Sequence, residues 1–499
     1  MIGTSDTTRI PVHAVRFHPL SYGDPNGQLF EWEGNLYRAI GSSSAALYGR
    51  LFNEGVIQRL VEQHFLVETD LVPLSLDGFE AVLQHRQIPC VSYAYEWPAP
   101  MLKDAALLVL DFNLELARTG LATQDAHPAN VLFNGCEPVF VDFGSIVAIA
   151  PEAPWAAVDE FCRFYLYPLY LMAGGQGRIA RWLLHDTEGG VRSSDFFRGL
   201  QPMVPIRHGV RHAVHYQIQR RMADWRPRLV ARIPPSVRSV LKRTFKSAGT
   251  RRVTAGGQTP PSRVRILQRL REEIHAITFP VRRSAWSEYY DGSFPPFSPS
   301  ETWTPKHHAV WEALRRLQPA SVLDIGSNQG WYSQLATRSG SRVVAFDTDE
   351  ISIASLYARA KTEGLPILPL VMDVRYPSPG SGLRNECFSP ASQRLACDLV
   401  LALALIHHLV FKQRLTFEKV VGALEQFAAR WLLVEFVARE DPYVAPLWSA
   451  ERHAWYSLDG FIAALRTRFD HIERLPSSTP HRTLLLCHRE RWTTSSNDS

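Results

Sequence analysis

Residues 321–330 read SVLDIGSNQG, and the helix-patterned stretch WYSQLATRSG follows at once. An apolar strand runs straight into an acid, Asp324, and then into a short turn bounded by Gly326 and Gly330. Gly326 permits a tight turn, and Gly330 lets the following helix approach the strand closely. A glycine loop alone is a weak signal, so its neighbours decide the reading. The next apolar run, RVVAFD, ends at Asp347. An acid at the end of a second parallel strand can accept hydrogen bonds from both hydroxyls of a ribose. The third run, ILPLVMD, brings Asp373 to the position where an adenine amine would lie. The fourth, DLVLALAL, leads into IHHL, and WLLVEFV is the fifth. Strands alternating with helical stretches predict an α/β fold, a doubly wound Rossmann-like parallel sheet with helices on both faces.

These strand-end features, in this order, resemble the class I S-adenosylmethionine-dependent methyltransferases over roughly residues 285–490. The family's acid-and-three-glycine loop appears here as Asp324, Gly326, Asn328 and Gly330, with Asn328 in place of the middle glycine. The resemblance implies that Asp324 and the backbone of 326–330 hold the methionine moiety, Asp347 the ribose, and Asp373 with Val374 the adenine. A nicotinamide dehydrogenase would need a GxGxxG spacing that DIGSNQG does not supply. His407 and His408 follow the fourth strand at the carboxyl end of the sheet, where ligands bind in open α/β folds. A neutral imidazole there can take a proton from a hydroxyl or amine acceptor, and a packing role weighs about equally. Glu435 in WLLVEF is a lesser candidate, with a structural role favoured. No metal site is expected.

A second constellation lies at 125–144, DAHPANVLFNGCEPVFVDFG. Asp125 and Asn130 stand in a D-x-x-x-x-N spacing, and Asp142 opens a DFG after two short strands. This resembles the catalytic loop and DFG of kinase-like phosphotransferases, the aminoglycoside branch in particular, over about 28–200. In that chemistry one Asp orients a hydroxyl, while Asn and the second Asp hold magnesium on nucleotide phosphates. The upstream half departs from the pattern. It has no glycine-rich phosphate loop, and its only lysine before Asp125 is Lys103, on a long helical stretch. Arg38 in LYRAI is expected in the place of the nucleotide-binding lysine, with Glu54 as its partner. Arg does not simply replace Lys, because a planar fork differs from a point charge. The expectation is an α+β kinase-like domain that is degenerate and binds magnesium-ATP weakly or not at all.

The whole chain, with YAYEW at 93–97, DAHPANVLF and LALALIHHL in this order, resembles bacterial methyltransferases related to host-specific nodulation proteins. That implies a small-molecule or saccharide acceptor. Two alternatives stay open: a bifunctional kinase–methyltransferase, and a non-catalytic scaffold with vestigial nucleotide sites.

Composition sets the frame around these motifs. A chain of 499 residues with 45% hydrophobic and 21% charged residues is a folded protein of several domains. The expected division is 1–200 kinase-like, 201–284 a basic and mainly helical connector with a linker at 250–262, 285–490 methyltransferase, and 491–499 a disordered tail. Six well-separated cysteines without a CxxC pair argue against a zinc knuckle or disulfide framework. With no secretory signal in the first residues and no run near the roughly 18 apolar residues of a membrane span, a cytoplasmic protein is expected. The formal net charge of +5 is uneven. Residues 201–283 hold nineteen Lys or Arg and three acids, which leaves the remainder acidic. Solvated helix faces explain most of that. A surface for an anionic acceptor is the sharper alternative, with peripheral membrane contact through the amphipathic 234–248. Nucleic acid is not expected, because the stretch has few aromatics for stacking.

Overall fold

The computed structural model describes residues 7–197 (save 22, 23, 25 and 151), 262–280, 283, 284, 286 and 300–489. The amphipathic stretch 234–248, nearly all of the linker 250–262 and the tail 491–499 lie outside the described residues. Contacts group the chain into two units: residues 1–108, 127–145 and 280–499 in the first, and 109–126 with 146–279 in the second. Among the described residues no helix is long and apolar enough to cross a membrane.

In the first unit a short parallel pair joins β1 (Thr8–Ile10) and β6 (Leu74–Leu76). An antiparallel five-stranded sheet runs β2 (Arg16–Phe17), β3 (Gly27–Trp32), β4 (Asn35–Ile40), β7 (Ala81–His85), β5 (Thr69–Val72). The hairpin of β3 and β4 turns at Glu33 and Gly34, both with positive φ (47° and 75°). Two left-handed residues make the turn whose twist matches that of the flanking strands. The stretch after β4 forms two helices, Ser42–Asn53 and Val56–Glu62. Gly55, at φ +65°, breaks the run. β9 (Val131–Asn134) and β10 (Glu137–Phe140) form the hairpin between Asn130 and Asp142.

The remainder of this unit is a seven-stranded sheet. Its order is β14 (Ile367–Val371), β13 (Arg342–Asp347), β12 (Ser321–Ile325), β15 (Cys397–Ala402), β16 (Ala428–Val437), β18 (Arg482–His488), β17 (His471–Leu475). The first five strands are parallel, and β18 runs antiparallel to β16 and β17. Parallel strands covered on both faces read as continuous apolar runs, which is why SVLDI and DLVLA lack alternation. Strand order reverses between β12 and β15, so the crevice at their carboxyl ends is the switch point where ligands bind.

The two halves of this unit meet through a buried contact. The Arg394 guanidinium pairs with Glu96 at 2.5 Å, the two side chains being 4% and 1% exposed. It also lies 4.2 Å from the Tyr93 ring centre and donates to the Ser389 carbonyl at 2.7 Å. The Ser389 amide donates to the Tyr93 hydroxyl at 3.0 Å. Farther along, Tyr357 Oη and Lys361 Nζ both donate to Asp104, each at 2.6 Å. The YAYEW motif is therefore a seat for the C-terminal half.

The second unit carries β8 (Leu121–Thr123) paired antiparallel with β11 (Ile146–Ala148), and the helix Arg263–Ala276. Tyr170 donates to Glu273, and Arg271 pairs with Asp111, which ties that helix to its own unit.

Candidate active site

The loop after β12 is built from left-handed backbone. Gly326, Asn328 and Gly330 have φ of 72°, 52° and 75°. Asn tolerates this region better than most residues, which accounts for its place in the loop. A Cβ on Gly330 would stand 2.5 Å from Leu356 Cδ1, so glycine here lets the helix Trp331–Arg338 pack close to its neighbour. Both the Gly326 and Ser327 amides donate to the Phe346 carbonyl, pinning the loop to β13.

Asp324 is 3% exposed and accepts from Ser333 Oγ at 2.6 Å. Burial pushes its carboxyl up to about 6, against the Ser333 hydrogen bond. Asp347, at the end of β13, accepts from the Asn328 amide at 3.0 Å and from the Asp349 amide at 3.0 Å. Burial raises its pKa while these amides hold it down. The loop and Asp347 are thus one hydrogen-bonded piece. Asp373 lies two residues beyond β14, gripped by Arg375 through Nε at 3.0 and 3.1 Å, and Arg375 reaches on to Gln413. Val374 beside it is buried.

His407 and His408 stand at the carboxyl end of β15, with ring centres 4.1 Å apart. Burial lowers His407 to about 3 and His408 to about 4, so both are neutral at pH 7. The Nδ1 atom of each is buried and has no partner among the described residues. A π-helical turn, His408–Lys412, follows; such turns are frequent at functional sites. Trp286 joins the two sides of the crevice. Its carbonyl accepts from Asn328 Nδ2 at 2.9 Å, and its ring meets His408 edge-on at 5.1 Å.

Two further groups escaped or were discounted in the sequence. Lys306 Nζ donates to Glu435 Oε2 at 2.6 Å, and the Ala404 amide donates to the same oxygen at 2.8 Å. Lys306 carries no pattern signal in TPKHH. Its one cue is a position at the start of a helix, and only its burial distinguishes it.

The kinase-like constellation departs from expectation at one point. Arg38 is 4% exposed and bonds Asp24 at 2.9 Å and Asp142 at 3.0 Å. Glu54 is not its partner: that side chain is exposed and faces Arg50 at 3.9 Å. The reason is the break at Gly55, which ends the helix Ser42–Asn53 just before Glu54 and leaves it at a surface cap. Asp24, from the loop between β2 and β3, was not foreseen, since nothing in SYGDPNG marks it. The Gly144 carbonyl of the DFG is held by Tyr48 Oη at 3.1 Å and Asn26 Nδ2 at 2.8 Å. Asn130 opens the β9–β10 hairpin, its carbonyl accepting from the Val141 amide at 2.8 Å. Asp125 belongs to the second unit, where Thr123 Oγ1 donates to its carbonyl at 2.7 Å.

Switch-point crevice, glycine loop and strand-end acids give the C-terminal half a doubly wound Rossmann-like sheet, preceded by an α+β part that carries the DFG constellation. Residues 296–376 match the family described as tellurite resistance protein TehB. Over 460 residues the chain is 28% identical to nodulation protein NoeA of Rhizobium meliloti (strain 1021), covering 89% of this chain and 90% of that one. Among solved structures, monomeric WbdD is 17% identical over 38% of this chain and 41% of its own, with a TM-score of 0.28. The aligned part thus spans about two fifths of WbdD. Magnesium protoporphyrin IX methyltransferase (ChlM) from Synechocystis PCC 6803, with bound SAM, is 14% identical over 50% of this chain and 96% of its own, at a TM-score of 0.27. Scores this low carry no weight for function.

Proposed function

We propose that this protein is an S-adenosylmethionine-dependent methyltransferase for a small-molecule or saccharide acceptor, and that its kinase-like half transfers no phosphoryl group. The first part rests on the crevice between β12 and β15, where a left-handed loop and Asp347 are locked together by the Asn328 amide. Around it lie buried polar atoms that have no partner among the described residues: Ser327 Oγ, His407 Nδ1 and Glu435 Oε1. Such atoms cost about 1–3 kcal/mol each when left unpaired, and a polar ligand offsets that cost. These residues fit the cofactor. Asp347 would take the ribose hydroxyls, Asp373 and Val374 the adenine, and the backbone of 326–330 the methionine end.

The bound cofactor supplies a methyl group on a sulfonium, already a good leaving group. The protein's share is then alignment and exclusion of water. With pKa values depressed to about 3 and 4, His407 and His408 are weak bases that orient the acceptor by hydrogen bonding as neutral rings. We place the protein in the cytoplasm, where its six free thiols stay reduced.

For the kinase-like half, the supporting observation is the Asp24–Arg38–Asp142 array. Asp142 would have to hold magnesium, yet a guanidinium already occupies its carboxylate. The half serves as the seat on which the methyltransferase packs through Glu96 and Asp104. Calorimetry of the full chain with S-adenosylmethionine tests the cofactor reading. Wild type should bind saturably, and Asp347→Ala should weaken binding by about 1–3 kcal/mol. No binding by wild type refutes it.

A further inference from the structure

The acid that opens the glycine loop is used inside the protein. Asp324 is buried, and its Oδ2 takes the hydroxyl of Ser333 in the first turn of the helix that follows the loop. Strand and helix are anchored by this carboxylate. A ligand with a charged end in the crevice must find other groups.

Such groups stand beside the same helix. The Lys306 ammonium lies 5.3 Å from the ring centre of Tyr332, the second residue of the helix Trp331–Arg338. It donates to Glu435 Oε2, which belongs to β16 near its carboxyl end. The ammonium is therefore held between the glycine-loop helix and the sheet end, flanking the switch point. It senses the charge of Asp324 as well as that of Glu435. An ammonium has three donors, and the Glu435 carboxylate accounts for one. Glu435 is fully buried; its Oε2 takes Lys306 and Ala404, while its Oε1 has no partner among the described residues. A buried ion pair is stable only when its remaining hydrogen-bonding capacity is met. One carboxylate oxygen and the spare lysine donors thus call for a ligand that carries an anion and a cationic donor side by side.

Building on the cofactor reading above, we infer that Lys306 and Glu435 bind the amino-acid end of S-adenosylmethionine. The ligand's carboxylate meets Lys306, and its ammonium meets Glu435 Oε1. Pair and zwitterion each sum to zero charge, so the head-to-tail arrangement brings no unbalanced charge into the buried site. Glu435 also holds the Ala404 amide, in a residue at φ 53°, and so ties the subsite to the turn that carries His407 and His408.

The test uses two nucleosides that differ at that end. Full-length wild type, Lys306→Met and the charge-free double variant Lys306→Met/Glu435→Leu are titrated calorimetrically with S-adenosylhomocysteine and with 5′-methylthioadenosine. The latter lacks the amino acid. The double variant removes both charges together, so no orphaned charge is left to unfold the site. Both variants should lose on the order of tenfold to a hundredfold in affinity for S-adenosylhomocysteine and stay within about twofold for methylthioadenosine. Equal losses for the two ligands, or no loss for either, would overturn the assignment. Wild type that binds neither would sink the cofactor reading itself, and this inference with it.

Discussion

Replacing Glu96 by alanine should uncouple the two halves of the first unit. Arg394 then keeps its hydrogen bonds to the Val91 and Ser389 carbonyls and its place over the Tyr93 ring. What it loses is its counter-charge, in a position where its side chain is only 4% exposed. Removing one partner of a buried ion pair costs about 3–5 kcal/mol, chiefly because the other charge stays buried and unpaired. The surviving carbonyl contacts blunt this, which places the expected loss near the lower end, about 3 kcal/mol. For a unit of more than 200 residues a kcal/mol shifts the midpoint by about 2 °C, so thermal unfolding should fall by roughly 6 °C. The companion is Glu96→Leu combined with Arg394→Met, which removes both charges and should recover most of the loss. Scanning calorimetry of the full chain reads both. A midpoint for Glu96→Ala within about 1 °C of wild type, or a double variant no better than the single, would refute the seat.

Two other outcomes follow from the sites. His407 has its pKa lowered by burial to about 3, below the value of roughly 6.5 in an unfolded chain. The unfolded state therefore binds more protons between those limits, and this contribution to stability, complete above pH 6.5, is lost as pH falls. Asp324, raised to about 6, acts in the opposite sense between about pH 4 and 6. A His407→Gln variant should accordingly show a shallower loss of thermal midpoint from pH 6.5 to 4.5 than wild type, and an unchanged slope would argue against a buried neutral imidazole. For the kinase-like half, magnesium-ATP should give neither turnover nor a thermal shift with wild type or Asp142→Asn; robust turnover abolished by that substitution would make the protein bifunctional.

Local sequence carried most of the sheet and little of the chemistry around it. Strands β12 to β16 were legible because buried parallel strands need continuous apolar runs, and DIGSNQG because its backbone needs glycine or asparagine at positive φ. Asp324 and Asp347 were legible as strand ends and Asp373 as an acid just past a third strand, since period and topology alone place them there. Their use of hydrogen bonds was not: Ser333 and Arg375 satisfy Asp324 and Asp373 from positions with no sequence signature. Glu54 was expected beside Arg38, yet the helix ends before it at a left-handed glycine, and Arg38 pairs with Asp24 instead. Lys306 and Glu435 sit 129 residues apart, and the pairing exists only because a helix start meets a strand end. YAYEW shows the same limit: as a string it marks a resemblance, whereas its contact with Arg394, 298 residues beyond Glu96, gives it a physical role. Short-range patterns determine elements, because backbone conformation and burial of one face are local demands. Which charge meets which is decided by tertiary packing, since burial sets both the cost of leaving a charge alone and the strength of its partner.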